Sequence, residues 1–182
     1  MLTHANLVSN AQTLISAWGF TADDVLLHTL PIYHVHGLFV ALHCALLSGA
    51  ATRFENSFDA TSVAELLPDA TVFMGVPTYY TRLLAEGGFP AAGTALRLYV
   101  SGSAPLRVET FDAFETRTGQ RILERYGMTE AGMICSNPLE GPRIAGTVGP
   151  PLAGVSARVR DATGTLVDTD TPGVLELSLI HI

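Results

Sequence analysis

Charge is scarce in this chain. Of its 182 residues only 15% are Asp, Glu, Lys or Arg, and the ten basic ones are scattered, leaving a formal net charge of -7. A polyanion needs a basic stripe to bind to, so a nucleic-acid partner is not expected. Cysteine is scarcer: Cys44 and Cys135 stand apart, outside any CxxC or Cys/His cluster. That excludes a disulfide scaffold or zinc module and suits a reducing compartment, with both thiols as packing residues. No apolar run reaches the roughly 18 residues of a membrane span, since His43, Ser48 and Gly49 break the best stretch, from Gly37 to Ala51. The opening MLTHANLVSN shows neither a signal peptide's basic-then-apolar order nor the Arg-rich texture of a transit peptide. Internal repeats and low-complexity tracts are absent as well. So is a GxGxxG after the first apolar strand, which sets aside a dinucleotide-dependent oxidoreductase.

What is abundant is apolar material, 48% of the chain, enough for one sizeable core. Short apolar runs alternate with longer stretches at helical spacing, the habit of an α/β sheet with crossover helices. Helices are expected over 6–18 (stopped by Gly19), 37–47 (closed by Gly49), 60–67 (capped by Asp59), 77–85 (opened by Pro77, ended by Gly87-Gly88) and 107–118. Strands are expected over 25–30, 51–54, 71–74, 96–100 and 121–125. Beyond Gly141, prolines and glycines interrupt short alternating runs at 155–159 and 174–177, which reads as a small antiparallel β region. A soft boundary near Glu140 therefore divides an α/β portion, 1–140, from a β-rich portion of the same domain, 141–177, with 178–182 an atypical tail.

Three segments carry chemistry. Ser101-Gly102-Ser103-Ala104-Pro105 follows an apolar strand; small residues let a flat ligand approach the backbone, and free amides bind ring edges or phosphates. The same residues also make an ordinary strand-to-helix turn with Pro105 opening the helix. Tyr126-Gly127-Met128-Thr129-Glu130 follows another strand. There Glu130 can hold Mg²⁺ and Thr129 can bond a phosphate oxygen, or Thr129 can cap a helix whose dipole Glu130 favours. In Leu30-Pro31-Ile32-Tyr33-His34-Val35-His36-Gly37 two histidines flank a strand exit. No third ligand lies at metal spacing, which leaves an aromatic-histidine wall beside a substrate, or a histidine satisfied inside the core.

Together and in this order, LPIYHVHGL, SGSAP and YGMTE resemble the adenylate-forming superfamily of acyl-CoA synthetases, luciferases and nonribosomal-peptide adenylation domains. The resemblance implies part of that family's large N-terminal domain: an α/β fold with a mostly parallel sheet, followed by a small antiparallel region. By position it gives Gly102, Ser103 and Ala104 to adenine binding, Tyr126 to stacking near the adenine, and Gly127 and Met128 to the same nucleotide segment. Thr129 would meet phosphate and Glu130 would bind Mg²⁺, the pair serving as catalytic candidates, while His34 would line the acyl tunnel.

Longer strings, LPIYHVHGLF, GVPTYYTRLL and ERYGMTEAGMICSNP, are similar to malonyl-CoA synthetases. On that likeness Arg82 would bind the carboxylate that does not react, because a planar guanidinium offers two parallel hydrogen bonds; a solvated helix arginine is the plain alternative. MLTHANL resembles the helix after the family's phosphate-binding loop and GVLEL the start of a later motif, which SLIHI does not continue. The phosphate loop, the ribose-binding Asp and the domain with the catalytic Lys are expected outside this chain. The implied reaction joins a small carboxylic acid, malonate or methylmalonate, to coenzyme A at the expense of ATP with Mg²⁺. It would take place in the cytoplasm, or in the mitochondrial matrix if the longer protein carries a transit peptide. A ligase for monocarboxylic or aryl acids, and a nucleotide-binding piece without turnover, are the competing expectations.

Overall fold

The computed structural model describes residues 2–87, 89 and 95–179. Its elements are α1 (His4–Trp18), β1 (Val25–His28), a π-helical segment (His36–Leu42), α2 (His43–Ser48), β2 (Ala51–Phe54), α3 (Ala60–Leu66), β3 (Val72–Gly75), α4 (Pro77–Ala85), β4 (Leu98–Ser101), α5 (Val108–Thr118), β5 (Leu123–Met128), β6 (Gly132–Ser136), β7 (Val155–Arg160) and β8 (Val174–Leu179). Six strands form one sheet in the order β2-β1-β3-β4-β5-β6, parallel except for β6; β7 and β8 form a separate antiparallel pair. Among the described residues no helix is long and apolar enough to cross a membrane.

The central strands β1, β3 and β4 are near-continuous apolar runs because both faces of the parallel sheet are covered there, whereas the edge strand β2 is exposed along its length. Period-2 alternation sends Leu26, Val72, Met74, Leu98 and Val100 to the face packed by Leu14 and Trp18 of α1 and Cys44 of α2. The alternate residues, Leu27, Phe73 and Tyr99, meet Val63 of α3, Tyr80 and Leu83 of α4, and Phe111 and Phe114 of α5. Tyr80, Tyr99 and Phe114 stack edge to face, and the Tyr80 hydroxyl donates to the Val100 carbonyl at 2.6 Å, so α4 is fixed to the centre of the sheet. The two cysteines are free and buried, as packing residues should be.

Helix ends follow local chemistry. Gly19 and Gly49 close α1 and α2 in the left-handed conformation, and the Asp59 carboxylate accepts from the Ser62 amide at the start of α3. Three expectations need correction. The helix expected over 37–47 is two pieces, because the wide π turn buries His36 and Gly37 beneath Pro31; a Cβ on Gly37 would collide with the Pro31 carbonyl. Pro105 does not open α5, whose N-cap is Arg107. The segment 126–130 is neither a loop nor a helix start. Tyr126, Gly127 and Met128 continue β5, the Ala131 amide donates back to Met128 O at 3.2 Å, and Gly132 at φ +70° turns the chain into β6, a strand that the periodicity did not announce. Ser178 and Leu179 pair within β8, while Gly88 and residues 180–182 lie outside the described residues.

At the amino-terminal edge of the sheet the buried carboxylate of Asp24 is matched. Arg97 donates to both Asp24 oxygens (Nε to Oδ1 2.9 Å, Nη2 to Oδ2 2.6 Å) and to the carbonyls of Trp18 and Gly19, tying α1 to the strand starts. Burial alone would raise the Asp24 pKa, but hydrogen bonds from Arg97, Thr71 and the Thr21 amide outweigh it and bring it from 3.8 to about 2. A depressed carboxyl stabilises the fold above its unfolded pKa, and that contribution is lost as pH falls through the folded one. Asp24→Asn is therefore expected to cost about 2 kcal/mol at neutral pH, with the deficit shrinking as pH drops from 3.8 toward about 2. Urea unfolding of both chains across that range checks this; a deficit that did not change with pH would contradict it.

Candidate active site at the carboxyl edge of the sheet

Because β1 to β5 run parallel, their carboxyl ends and the loops after them share one edge, where open α/β sheets bind ligands. A cleft of about 470 Å³ opens there between Ser101, Ser103, Ala104 and Leu106 after β4 and the stretch from Glu124 to Gly127 on β5, with Gly146 and Val148 opposite. Gly102 lies flat on the Arg125 side chain: an added Cβ would sit 2.5 Å from Cζ. Only glycine fits. Ser103 then takes φ 70°, a left-handed conformation that costs a non-glycine residue roughly 1 to 2 kcal/mol. Its hydroxyl lies 3.2 Å from His36 Nδ1.

Arg125 is the unusual residue of this cleft. It is 4% exposed, yet its Nε and Nη2 have no hydrogen-bond partner. Burial is the main cause that pulls its pKa below the ordinary arginine value to about 10, which still leaves it charged at neutral pH. The Ser101 hydroxyl, the Thr29 hydroxyl and His36 Nε2 are likewise buried without partners. Beside Arg125, burial raises the Glu124 pKa while the amides of Gly146 and Leu106 pull it back; its carboxylate accepts from Gly146 N at 3.1 Å and makes no ion pair with Arg125.

Of the residues singled out from sequence, Gly102, Ser103, Ala104, Tyr126 and Gly127 come together around this cleft. Met128, Thr129 and Glu130 stand exposed at the β5–β6 tip, where Thr129 also borders a small cavity of about 30 Å³ beside Asn6 and Asn10 of α1. His34 is exposed, and its Nδ1 accepts from the His36 amide at 3.2 Å. Arg82 is exposed on α4, its Cζ 4.8 Å above the Phe58 ring. Phe58 stacks on Tyr79 at 3.8 Å, and both border a neighbouring cleft of about 390 Å³ that Ile32 and Tyr33 share. Sequence reasoning passed over Arg125 and His36. The available signal was an arginine at the end of the otherwise apolar stretch Ile122-Leu123, and a second histidine one strand period after the first.

Among the described residues no three His, Cys, Asp or Glu side chains gather to hold a metal. Glu130 nevertheless suits Mg²⁺: it is an exposed hard-oxygen donor with no ion pair among the described residues. Mg²⁺ keeps most of its waters and typically takes one or two carboxylates together with phosphate oxygens.

The mostly parallel sheet, with a glycine-serine loop and a Tyr-Gly-x-Thr-Glu hairpin at its carboxyl edge, is an α/β domain, and residues 1–178 match the AMP-binding enzyme family. The chain belongs to that family. ATP-bound MatB from Rhodopseudomonas palustris superposes on it with a TM-score of 0.96 at 48% identity, covering 100% of this chain and 37% of that one. A malonyl-CoA ligase with methylmalonyl-CoA and AMP bound gives a TM-score of 0.87 at 36% identity, over 98% of this chain and 40% of that one. A malonate–CoA ligase of Arabidopsis thaliana is 40% identical over 198 residues, 96% of this chain and 31% of its own length. The chain thus spans only about a third of the curated relative it matches here.

A buried guanidinium kept for a ligand should burden the fold. Arg125→Met, which fills the same space without charge, is expected to leave this chain as stable or to stabilise it by about 1 to 3 kcal/mol, judged by the urea midpoint. A loss of that size would instead make Arg125 a structural residue.

Proposed function

We propose that the full-length protein is an AMP-forming acid–CoA ligase whose acid carries a second carboxylate, malonate or methylmalonate being the class that fits. The observation that carries the reading is Arg125, buried at the base of the nucleotide cleft with two guanidinium nitrogens unpaired. A second carboxylate would pair with that charge through two parallel hydrogen bonds, which a monocarboxylic acid bound through its reacting group has no oxygen to make.

In this reading the backbone of Gly102, Ser103 and Ala104 receives the adenine edge, and the half-buried Tyr126 ring lies against the base. Thr129 bonds a phosphate oxygen. Glu130 would hold Mg²⁺, which when bound offsets the charge of the polyphosphate. The reactive carboxylate oxygen attacks the α-phosphorus and pyrophosphate leaves. The thiolate of coenzyme A then attacks the acyl carbon of the adenylate, and AMP leaves with the bonding electrons. The residues of this chain contribute positioning and charge compensation. Arg82 has a secondary place, on the rim formed by Phe58 and Tyr79, where water screens its charge.

The test compares kcat/KM for malonate and butyrate in the full-length protein. Arg125→Met is expected to lower the malonate value about a hundredfold, the worth of a desolvated charge-assisted pair, and to spare butyrate. Arg82→Ala should cost malonate about tenfold or less, because its guanidinium is exposed. An equal fall for both acids would remove the dicarboxylate assignment.

Glu130→Gln keeps the shape of the side chain and removes its charge. It is expected to slow acid-dependent pyrophosphate exchange about a hundredfold while the melting temperature stays put, since the residue is exposed and unpaired. Parallel losses of activity and stability would point to a structural role for the hairpin tip.

A further inference from the structure

Of the two histidines after β1, the buried one touches the site. His36 is 1% exposed and its Nδ1 lies 3.2 Å from Ser103 Oγ, a contact between groups 67 residues apart in sequence. We propose that His36 is a positioning residue: through Nδ1 it anchors the Ser103 hydroxyl and so holds the left-handed turn that shapes the ligand-facing loop after β4. This rests on the ligase reading only in so far as that loop receives substrate.

Three observations support it. Ser103 is one of two non-glycine residues with positive φ among the described residues, and such a conformation persists only where the surroundings over-determine it. Below Ser103, Gly102 rests on Arg125, and that support fixes the loop's height but not the direction of the hydroxyl. The imidazole is itself held firmly: it stands at the first residue of the π turn, and Gly37 next to it is pressed against the Pro31 carbonyl, so the ring cannot retreat without moving the exit of β1. Burial chiefly, with the charge of Arg125 next and the neighbouring His34 and His28 after it, pushes the His36 pKa well below 6.5. A neutral ring has one donor and one acceptor nitrogen. One of them meets Ser103, and Nε2 is buried without a partner.

The test uses the full-length protein with His36→Asn, which keeps a polar atom near the Nδ1 position, His36→Phe, which keeps the ring without it, and Ser103→Ala, an exposed change that leaves the core alone. His36→Phe and Ser103→Ala are each expected to lower kcat/KM about tenfold, the scale of one neutral hydrogen bond, and the double variant should be no worse than either single. His36→Asn should stay within about threefold of the starting enzyme, since it restores that bond. A second readout needs no turnover: in ¹⁵N spectra of histidine-labelled protein, Ser103→Ala should shift the His36 Nδ1 signal and leave His34 unmoved. Asparagine as impaired as phenylalanine, multiplying losses in the double variant, or an unmoved Nδ1 signal would each overturn the assignment. If malonate is not the acid, the same variants are compared with whichever acid drives pyrophosphate exchange. That result would retire the dicarboxylate reading and leave the role of His36 to be judged on its own pattern.

Discussion

A positive charge placed out of water with two unpaired nitrogens is the constraint around which this fold is arranged. Each buried polar group left without a partner costs about 1 to 3 kcal/mol, and more if it is charged. Arg125, Ser101 and His36 concentrate that cost at the carboxyl edge of the sheet, and Thr29 adds to it after β1. The opposite edge carries no such debt, because Asp24, Arg97 and Thr71 satisfy one another there. The contrast has a direction. Parallel strands aim their carboxyl ends at the unsatisfied edge, and the apolar layers on both faces of the sheet supply the stability that lets it stay unsatisfied.

Backbone shape does the rest. Gly102 allows the loop after β4 to lie directly on the guanidinium, and a larger residue would force one of the two to move. The register shift between Tyr126 and Gly127 re-aims β5 just where it passes the cleft, as bulges commonly do beside sites. Gly127 is packed against Met133 and the Gly132 carbonyl, so the hairpin that ends in Thr129 and Glu130 is pinned at its base. From the other side the side-chain amide of Asn10 on α1 clamps β6, its Nδ2 donating to Met133 O and its Oδ1 accepting from Met133 N, each at 3.0 Å. Exposed polar side chains are thus carried on a hairpin whose root is rigid.

The fold was legible where one residue decides an outcome. Gly19, Gly49, Asp59 and Pro77 mark helix ends by their own backbone or side-chain chemistry, and they stand where expected. β6 was not legible, because Ala131 to Ser136 is a short apolar run whose partner strand is set by a turn that looks like a helix start. The site divides the same way. Gly102, Ser103 and Tyr126 were singled out through the order of three motifs that resembles a family, since small residues after an apolar strand also make an ordinary turn. Arg125 and His36 left only a faint signal, because their meaning lies in burial: Arg82 and Arg125 are the same letter in the sequence, and His34 and His36 likewise. Only the packing shows that one of each pair is exposed and the other enclosed.

The central claim is that the enclosed guanidinium receives the carboxylate that does not react. It is tested most directly by a crystal structure of the full-length protein with malonate and a non-hydrolysable ATP analogue. The account predicts a distal carboxylate oxygen within about 3 Å of Arg125 Nε or Nη2, in hydrogen-bonding geometry. A malonate whose second carboxylate faces water or another side chain, with Arg125 still unpaired, would contradict it.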